Sequence, residues 1–187
     1  MSFNTHLKPA FEILLPSLDN VRIDYWVFGG IGNAAYIGRF IRDNKDIDVF
    51  VKEVDFQKTT STLQEVCLSN GFQIFPIYPL NGDRPKVDIK INGKERFSVT
   101  PMYLKNNIVE FRFGRVTDKY PIQILNKVKR NIEGSEFYTS TNEYIKKSFL
   151  NHLTARPNKL NRPSIIADIN AVFTPEERVE LFKLLAK

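Results

Sequence analysis

The chain of 187 residues predicts an α/β fold: a small mixed β-sheet with flanking helices against one face, followed by a mostly helical C-terminal part. Three observations predict it. Apolar strand patterns at residues 24–28, 46–51 and 86–91 are separated by helix-compatible stretches. Between residues 72 and 113 the pattern turns to hairpins with Gly, Asn and Pro turn signals. From residue 142 onward apolar residues such as Ile145, Phe149 and Leu153 recur at helical spacing. Residues 1–115 are expected to form the core unit, and residues 116–187 a mostly helical segment packing on it.

Residues 1–20 predict a short leading helix broken at Pro16. Asp24-Tyr25-Trp26-Val27-Phe28 reads as a strand because aromatic and branched residues suit a pleated surface. It runs into Gly29-Gly30, and residues 31–37 predict a short helix closed by Gly38. In the next strand, 46–51, side chains alternate. Ile47, Val49 and Val51 share one face, and Asp46 and Asp48 the other. Residues 55–70 predict a helix with Asp55 as N-cap and Gly71 as its stop. Residues 72–78 predict an edge strand, because Pro76 has no N–H for a central ladder.

Asn81-Gly82-Asp83 marks a turn, and the strand 86–91 sets Val87, Ile89 and Ile91 against Asp88 and Lys90. Asn92-Gly93 is a strong hairpin signal, with a return strand over 95–99. Another strand follows at 108–113, a single helical turn at 121–125, and a hairpin about Glu133-Gly134 over 127–139. Residues 142–153 and 163–172 predict helices. Thr174-Pro175-Glu176-Glu177 opens the last one, with Thr174 as N-cap and Pro175 in the first position.

The chemistry concentrates around Asp46 and Asp48. Two carboxylates side by side on a short apolar strand are costly unless a cation neutralises them. Mg²⁺ carrying nucleotide phosphates would do so, since it favours carboxylates together with phosphate oxygens. The Gly29-Gly30 turn lets backbone approach a ligand closely, and the helix start after it offers N–H groups to phosphate. Arg39, Arg42 and Lys45 follow as cations in the connecting loop. If the strand 86–91 lies near the first in one sheet, Asp88 joins Asp46 and Asp48. Three such carboxylates could hold two metal ions about 4 Å apart, the arrangement used for in-line phosphoryl displacement.

The run from Gly29 to Asp48 resembles the signature of the DNA polymerase β-type nucleotidyltransferases. Its spacing of Gly29, Gly30, Gly38, Arg39, Arg42, Asp46 and Asp48 is similar to that of small antibiotic nucleotidyltransferases acting on lincosamides and aminoglycosides, and toxin-type nucleotidyltransferases are further small members. The resemblance spans roughly residues 21–91. It implies a polymerase β-like fold and transfer of a nucleoside monophosphate from an NTP such as ATP to an acceptor hydroxyl, with release of pyrophosphate. It implies Mg²⁺, two ions, held by Asp46 and Asp48, with Asp88 as third ligand or as general base. Gly29 and Gly30 would cradle the phosphates, and Arg39 and Arg42 would balance their charge. Lys146 or Lys147, and Asp168, loosely resemble a Lys near the start of the helical segment and a late Asp found in many relatives.

The chain departs from the antibiotic enzymes at Ile31, Ala34 and Asn44. Those departures and the net charge of +6, with a pI near 9.4, shift the expected acceptor to tRNA first and protein second, ahead of a small-molecule hydroxyl. Lys127, Lys129, Arg130, Arg156, Lys159 and Arg162 cluster late in the chain and would meet such a polyanion. One alternative is a catalytically silent member that binds RNA or a protein partner. Another is a dinucleotide-binding enzyme, because residues 30–35 also fit G-x-G-x-x-A.

The single Cys67 excludes an internal disulfide, and His6 and His152 lack partners at zinc-ligand spacing. No apolar run is long enough for a signal peptide or a membrane span, so a cytoplasmic protein with no membrane partner is expected.

Overall fold

Seven strands form one mixed sheet: β1 (Tyr25–Phe28), β2 (Ile47–Lys52), β3 (Gln73–Ile77), β4 (Lys86–Ile91), β5 (Lys94–Lys105), β6 (Ile108–Phe113) and β7 (Val116–Pro121). The structure is a computed structural model and describes residues 3–78, 85–113 and 116–185. Neighbouring strands run β1-β2-β5-β4-β3, with β6 on β5 and β7 on β6. The pair β2–β5 is parallel and the other pairs of this sheet are antiparallel. The antiparallel β1–β2 pair removes the dinucleotide reading, because that fingerprint needs a parallel β-α-β unit at this point. The Asn81-Gly82-Asp83 turn lies outside the described residues.

Alternation along the strands builds two cores. Ile47, Val49 and Val51 of β2, Val87, Ile89 and Ile91 of β4, and Phe97 and Val99 of β5 share one face. Against it pack the leading segment, α1 (Leu15–Asn20), α2 (Gly29–Ile37) and α3 (Phe56–Asn70) through Leu14, Leu18, Ile31, Leu63 and Cys67, all buried. Each such aliphatic side chain contributes about 1.5–3 kcal/mol by leaving water. The other face carries Asp48 and Phe50, and it gathers Trp26, Phe28, Met102, Phe111 and Tyr120 into a second cluster.

The strand β5 is longer than its predicted 95–99. Its first part pairs with β2 and β4, and from Tyr103 it pairs with β6. That extension carries β6 and β7 around to the aromatic cluster. Residue 115, the expected boundary, lies between β6 and β7, outside the described residues.

A separate hairpin, β8 (Val128–Ile132) and β9 (Ser135–Thr139), turns at Glu133-Gly134 and delivers Ile132 and Phe137 to the first core. Three helices complete the chain: α4 (Asn142–Ala155), α5 (Pro163–Val172) and α6 (Pro175–Leu185). They share a third cluster of Phe149, Leu153, Ile169, Val172, Phe173 and Leu181. Thr174 and Glu177 close a reciprocal capping box at the start of α6, Thr174 N–H donating to Oε2 of Glu177 at 2.9 Å and Glu177 N–H to Oγ1 of Thr174 at 3.3 Å.

Two local expectations differ. Pro16 does not break the leading helix; it follows directly on a π-helical turn at Ala10–Leu14, the kind of local widening at which a helix accommodates an interruption of its hydrogen-bond ladder. Asp55 does not cap α3 with its side chain, because a 3₁₀ turn at Glu53–Asp55 already holds it in helical conformation.

Candidate active site

Asp46 and Asp48 stand at the start of β2, directly below the first turn of α2. The register pairs Phe28 with Asp48, so the chain leaving β1 passes over the carboxylate. Gly29 has φ +66°, and a methyl group there would collide with the Asp48 carboxylate. Only glycine satisfies both the conformation and the approach. Burial, first, and then the charges of Asp48 and Glu95 push the Asp46 carboxyl up to about 7, against the pull of Lys45. The Lys45 ammonium is 3.9 Å from Asp46 and 3.5 Å from Glu95. Two half-buried carboxylates in mutual repulsion, under a glycine-lined opening, form a donor set that fits a divalent cation.

The structure does not bring Asp88 to this point. Across the sheet Asp48 pairs with Ser98, and Ser98 pairs with Asp88. All three lie on one face, as alternation requires, but β5 separates the two acids. Two strand spacings put the Asp88 backbone about 10 Å from that of Asp48. Asp88 is buried and ion-paired with Lys86, while Lys90 lies 4.6 Å over the Phe75 ring. Ser98 takes the place beside the pair, its Oγ donating to Oδ1 of Asp48 at 3.1 Å. Among the described residues no group of three His, Cys, Asp or Glu side chains is placed to hold a metal ion.

Arg42 lines the cleft within a buried clamp. Its Nε and Nη2 donate to the two oxygens of Asp168 on α5, at 2.8 and 2.7 Å, and Asn33 of α2 donates to Asp168 at 3.1 Å. A methyl group on Gly30 would strike both Arg42 and Asn44, so that glycine answers to the clamp. The loop is also held from the leading segment. Asp43 accepts from the Asn4 N–H at 2.7 Å, and Asn4 Oδ1 accepts from the Asn44 N–H at 2.6 Å. His6 Nε2 lies 2.7 Å from the Asn44 carbonyl. Arg39, beyond Gly38, is exposed and does not line the cleft.

The opposite wall comes from the C-terminal part. His152 on α4, Arg156 at its end, Lys159 in the turn Pro157–Lys159, and Arg162 ahead of α5 all line the same cleft of about 450 Å³. Their field is felt within the site. Burial, with Lys159, Arg156 and Arg162 adding to it, pushes the His152 imidazole down to about 4. Lys159 is lowered by burial and by the two arginines, and Asp48 pulls it the other way. At one end of the cleft Phe28, Phe50, Phe111 and Tyr120 form a chain of edge-to-face rings, with Asp118 of β7 beside them.

Of the late basic residues, the structure separates two groups. Lys127 pairs with Asp24, Lys129 with Glu136, and Arg130 binds Thr139 and Asn142. Arg156, Lys159 and Arg162 are the ones brought to the acids. Lys146 ties α4 to Glu177 of α6 at 2.6 Å, and Lys147 is exposed. His152, Asp118, Ser98 and Asn4 carried no spacing signal in the sequence, because their roles come from elements far apart in the chain.

Comparison with known proteins agrees with this architecture. Residues 11–91 match the family model described as aminoglycoside-2''-adenylyltransferase. The solution structure of the antibiotic-resistance factor ANT(2'')-Ia superposes with a TM-score of 0.63 at 15% identity, covering 97% of this chain and 90% of that one. The chain has this fold, a mixed α/β nucleotidyltransferase fold. The lincosamide antibiotic adenylyltransferase LnuA, bound to lincomycin, gives a TM-score of 0.59 at 14% identity over 92% of this chain and 98% of that one. A nucleotidyltransferase-like structure from Thermotoga maritima gives 0.56 at 13% identity over 86% and 92%. No curated protein matches the chain by sequence. No helix among the described residues is long and apolar enough to cross a membrane.

Proposed function

We propose that the protein is a Mg²⁺-dependent nucleotidyltransferase that moves a nucleoside monophosphate from an NTP to an acceptor oxygen and releases pyrophosphate. The observation that carries this reading is the placement of Asp46 and Asp48 under the Gly29–Gly30 turn, facing Arg156, Lys159 and Arg162. Asp46 and Asp48 would hold a divalent ion, which supplies charge neutralisation at the transferred phosphoryl group. The N–H groups that open α2 have no intrahelical partners and would bind the phosphate oxygens. Lys45 and the opposite basic wall would balance the charge that develops as pyrophosphate leaves. Arg42, held by Asp168, keeps the glycine turn in place and is a positioning residue. A second ion would lack the expected carboxylate of Asp88.

A small-molecule acceptor is favoured over tRNA or protein. The related ANT(2'')-Ia has been seen with adenylyl-2''-tobramycin and LnuA with lincomycin. The basic residues 127–130, which pointed to nucleic acid, are engaged with neighbours within the chain.

Calorimetric titration of ATP, GTP, CTP and UTP with and without Mg²⁺ tests the reading: at least one should bind in a Mg²⁺-dependent way. Asp48→Asn should abolish pyrophosphate release while leaving the fold intact. A variant with wild-type turnover would remove Asp48 from the chemistry. Ser98 beside Asp48 also favours a catalytically silent nucleotide binder. Mg²⁺-dependent binding with no pyrophosphate release from any acceptor class would select that alternative.

A further inference from the structure

One face of α4 looks into the cleft: Ser148, His152 and Arg156 recur at every fourth residue, and all three line it. Lys159 and Arg162 continue the same wall past the end of the helix. The cations of the cleft differ in what they already hold. Arg42 is bound to Asp168, and Lys45 lies between Asp46 and Glu95. Arg156 is engaged within the chain, and its charge is felt at Asp118 of β7. Among the described residues no carboxylate forms an ion pair with Lys159 or Arg162, and no hydrogen bond holds the His152 ring. Lys159 is half-buried, and its ammonium is pushed down by burial and by Arg156 and Arg162, while Asp48 across the cleft pulls it the other way. Like charges gathered in this way are stabilised by a bound anion. His152 is the uncharged member of the wall, because burial first, and then Lys159, Arg156 and Arg162, push its imidazole down to about 4.

Building on the nucleotidyltransferase reading, we propose that His152 is a proton-coupled phosphate ligand: with Lys159 and Arg162 it binds the phosphates of the NTP, taking up one proton from solvent as they arrive and releasing it when pyrophosphate departs. The phosphates reverse the sign of the field that keeps the ring neutral. An opposite charge about 4–6 Å away moves a pKa toward the charged form by about 1–3, and several phosphate oxygens carry such charge. The other titratable groups of the cleft do not cancel this gain. Asp46 and Asp48 would be neutralised by their divalent ion, Asp168 is paired with Arg42, and the Arg156 charge acts on Asp118. Burial pushes the Tyr120 hydroxyl up, so it stays neutral. Protonation makes both ring nitrogens donors, so the ring can serve a phosphate oxygen through either edge. The nucleotide complex then holds one proton more than the free protein at this residue, so affinity falls as pH rises from the free to the bound pKa. With the complex titrating at about 6.5, His152 makes binding about tenfold weaker at pH 7.5 than at pH 5.5.

The test follows the imidazole signals of the full chain by NMR as pH is varied. The chain has 2 histidines, so His6→Gln and His152→Gln each remove one signal and assign the other. Spectra are taken alone and with Mg²⁺ and whichever of ATP, GTP, CTP and UTP binds tightest, without acceptor. His152 should move from near 4 to about 6.5 or above in the complex. Mg²⁺-pyrophosphate should produce the same rise, and the nucleoside without phosphates should not. Calorimetry at pH 5.5 and 7.5 should show an affinity ratio about tenfold larger for wild type than for His152→Gln. Protons exchanged at Asp46 or on the nucleotide itself are common to both proteins and cancel in that comparison. His152 still titrating near 4 with the site saturated would overturn the inference and leave the nucleotidyltransferase reading standing, because Mg²⁺-dependent binding has then been seen. A rise produced by the nucleoside alone would also overturn it, since the cause would be a contact other than phosphate. Equal affinity ratios in wild type and His152→Gln would do the same. Absence of Mg²⁺-dependent NTP binding would overturn both.

Discussion

Replacing Asp168 by Ala should cost the protein about 3–4 kcal/mol of stability, most of it stored in the clamp with Arg42. The side chains of Asp168 and Arg42 are 2% and 18% exposed, so the pair is largely out of water. Removing one partner of a buried pair costs about 3–5 kcal/mol, because the other charge is left uncompensated. Arg42 softens that loss, since its Nη1 still donates to the Asp43 carbonyl at 3.0 Å and its exposed edge can take water. The lower end, about 3 kcal/mol, applies to the pair, and the Asn33 hydrogen bond adds about 1 kcal/mol. For a chain of this size that loss lowers Tm by about 10 °C. Arg42→Met with Asp168→Leu should lose less than Asp168→Ala alone, because it leaves no buried charge unpaired. The assay is a double-mutant cycle in urea, read beside NTP affinity. A coupling energy below about 0.5 kcal/mol would refute the clamp, since independent sites add within that margin.

Two further predictions concern protonation. Asp46 has its carboxyl raised in the folded state to about 7, so between its unfolded value of 3.8 and 7 the folded protein binds more protons, and stability falls as pH rises through that window. Asp46→Asn should therefore melt higher than wild type at pH 8 without metal, and by less than half that free-energy margin at pH 5; thermal melts at the two pH values check this. His152 should titrate near 4 by NMR in the wild type, and Lys159→Gln with Arg162→Gln should move its pKa upward. An unmoved His152 would show that Lys159 and Arg162 do not set its value.

Local order was legible in the sequence wherever one stretch of chain settles the matter. Gly29-Gly30, Gly38 and the alternation of 46–51 together define the strand, the turn and the face that bears the acids, and the structure keeps all three. Asn92-Gly93 gives its hairpin because positive φ at both positions suits Asn and Gly, whereas at Glu133-Gly134 only the glycine is matched to its positive φ. Strand order was not legible. Period-two alternation puts Asp88 on the correct face, but it says nothing about which strand lies between. The return strand β5 inserts between β4 and β2, and that one topological fact exchanges Asp88 for Ser98 at the site. The basic wall was legible only as charge. Six late cations looked alike in the sequence; neighbours away from the cleft hold Lys127, Lys129 and Arg130, and the fold brings Arg156, Lys159 and Arg162 into its lining.

The division of labour in the site follows from where its parts are anchored. The acids and the glycine turn belong to β1, α2 and β2, which are set by the larger core. The basic wall and Asp168 belong to α4, the turn after it and α5, which share their own core. Between these bodies the polar bridge is Asp168 with Arg42 and Asn33, and the apolar bridge includes Tyr36 and Ile37 packing on the helical cluster. The start of α2 therefore lies where the separation of the two bodies is fixed. The aromatic end of the cleft rests on a third set of residues, the aromatic face of the sheet with β7. Substitutions at Phe111, Asp118 or Tyr120 should reshape that end without moving Asp46 and Asp48. Substitutions at Asp168 should instead alter the spacing between the acids and the basic wall.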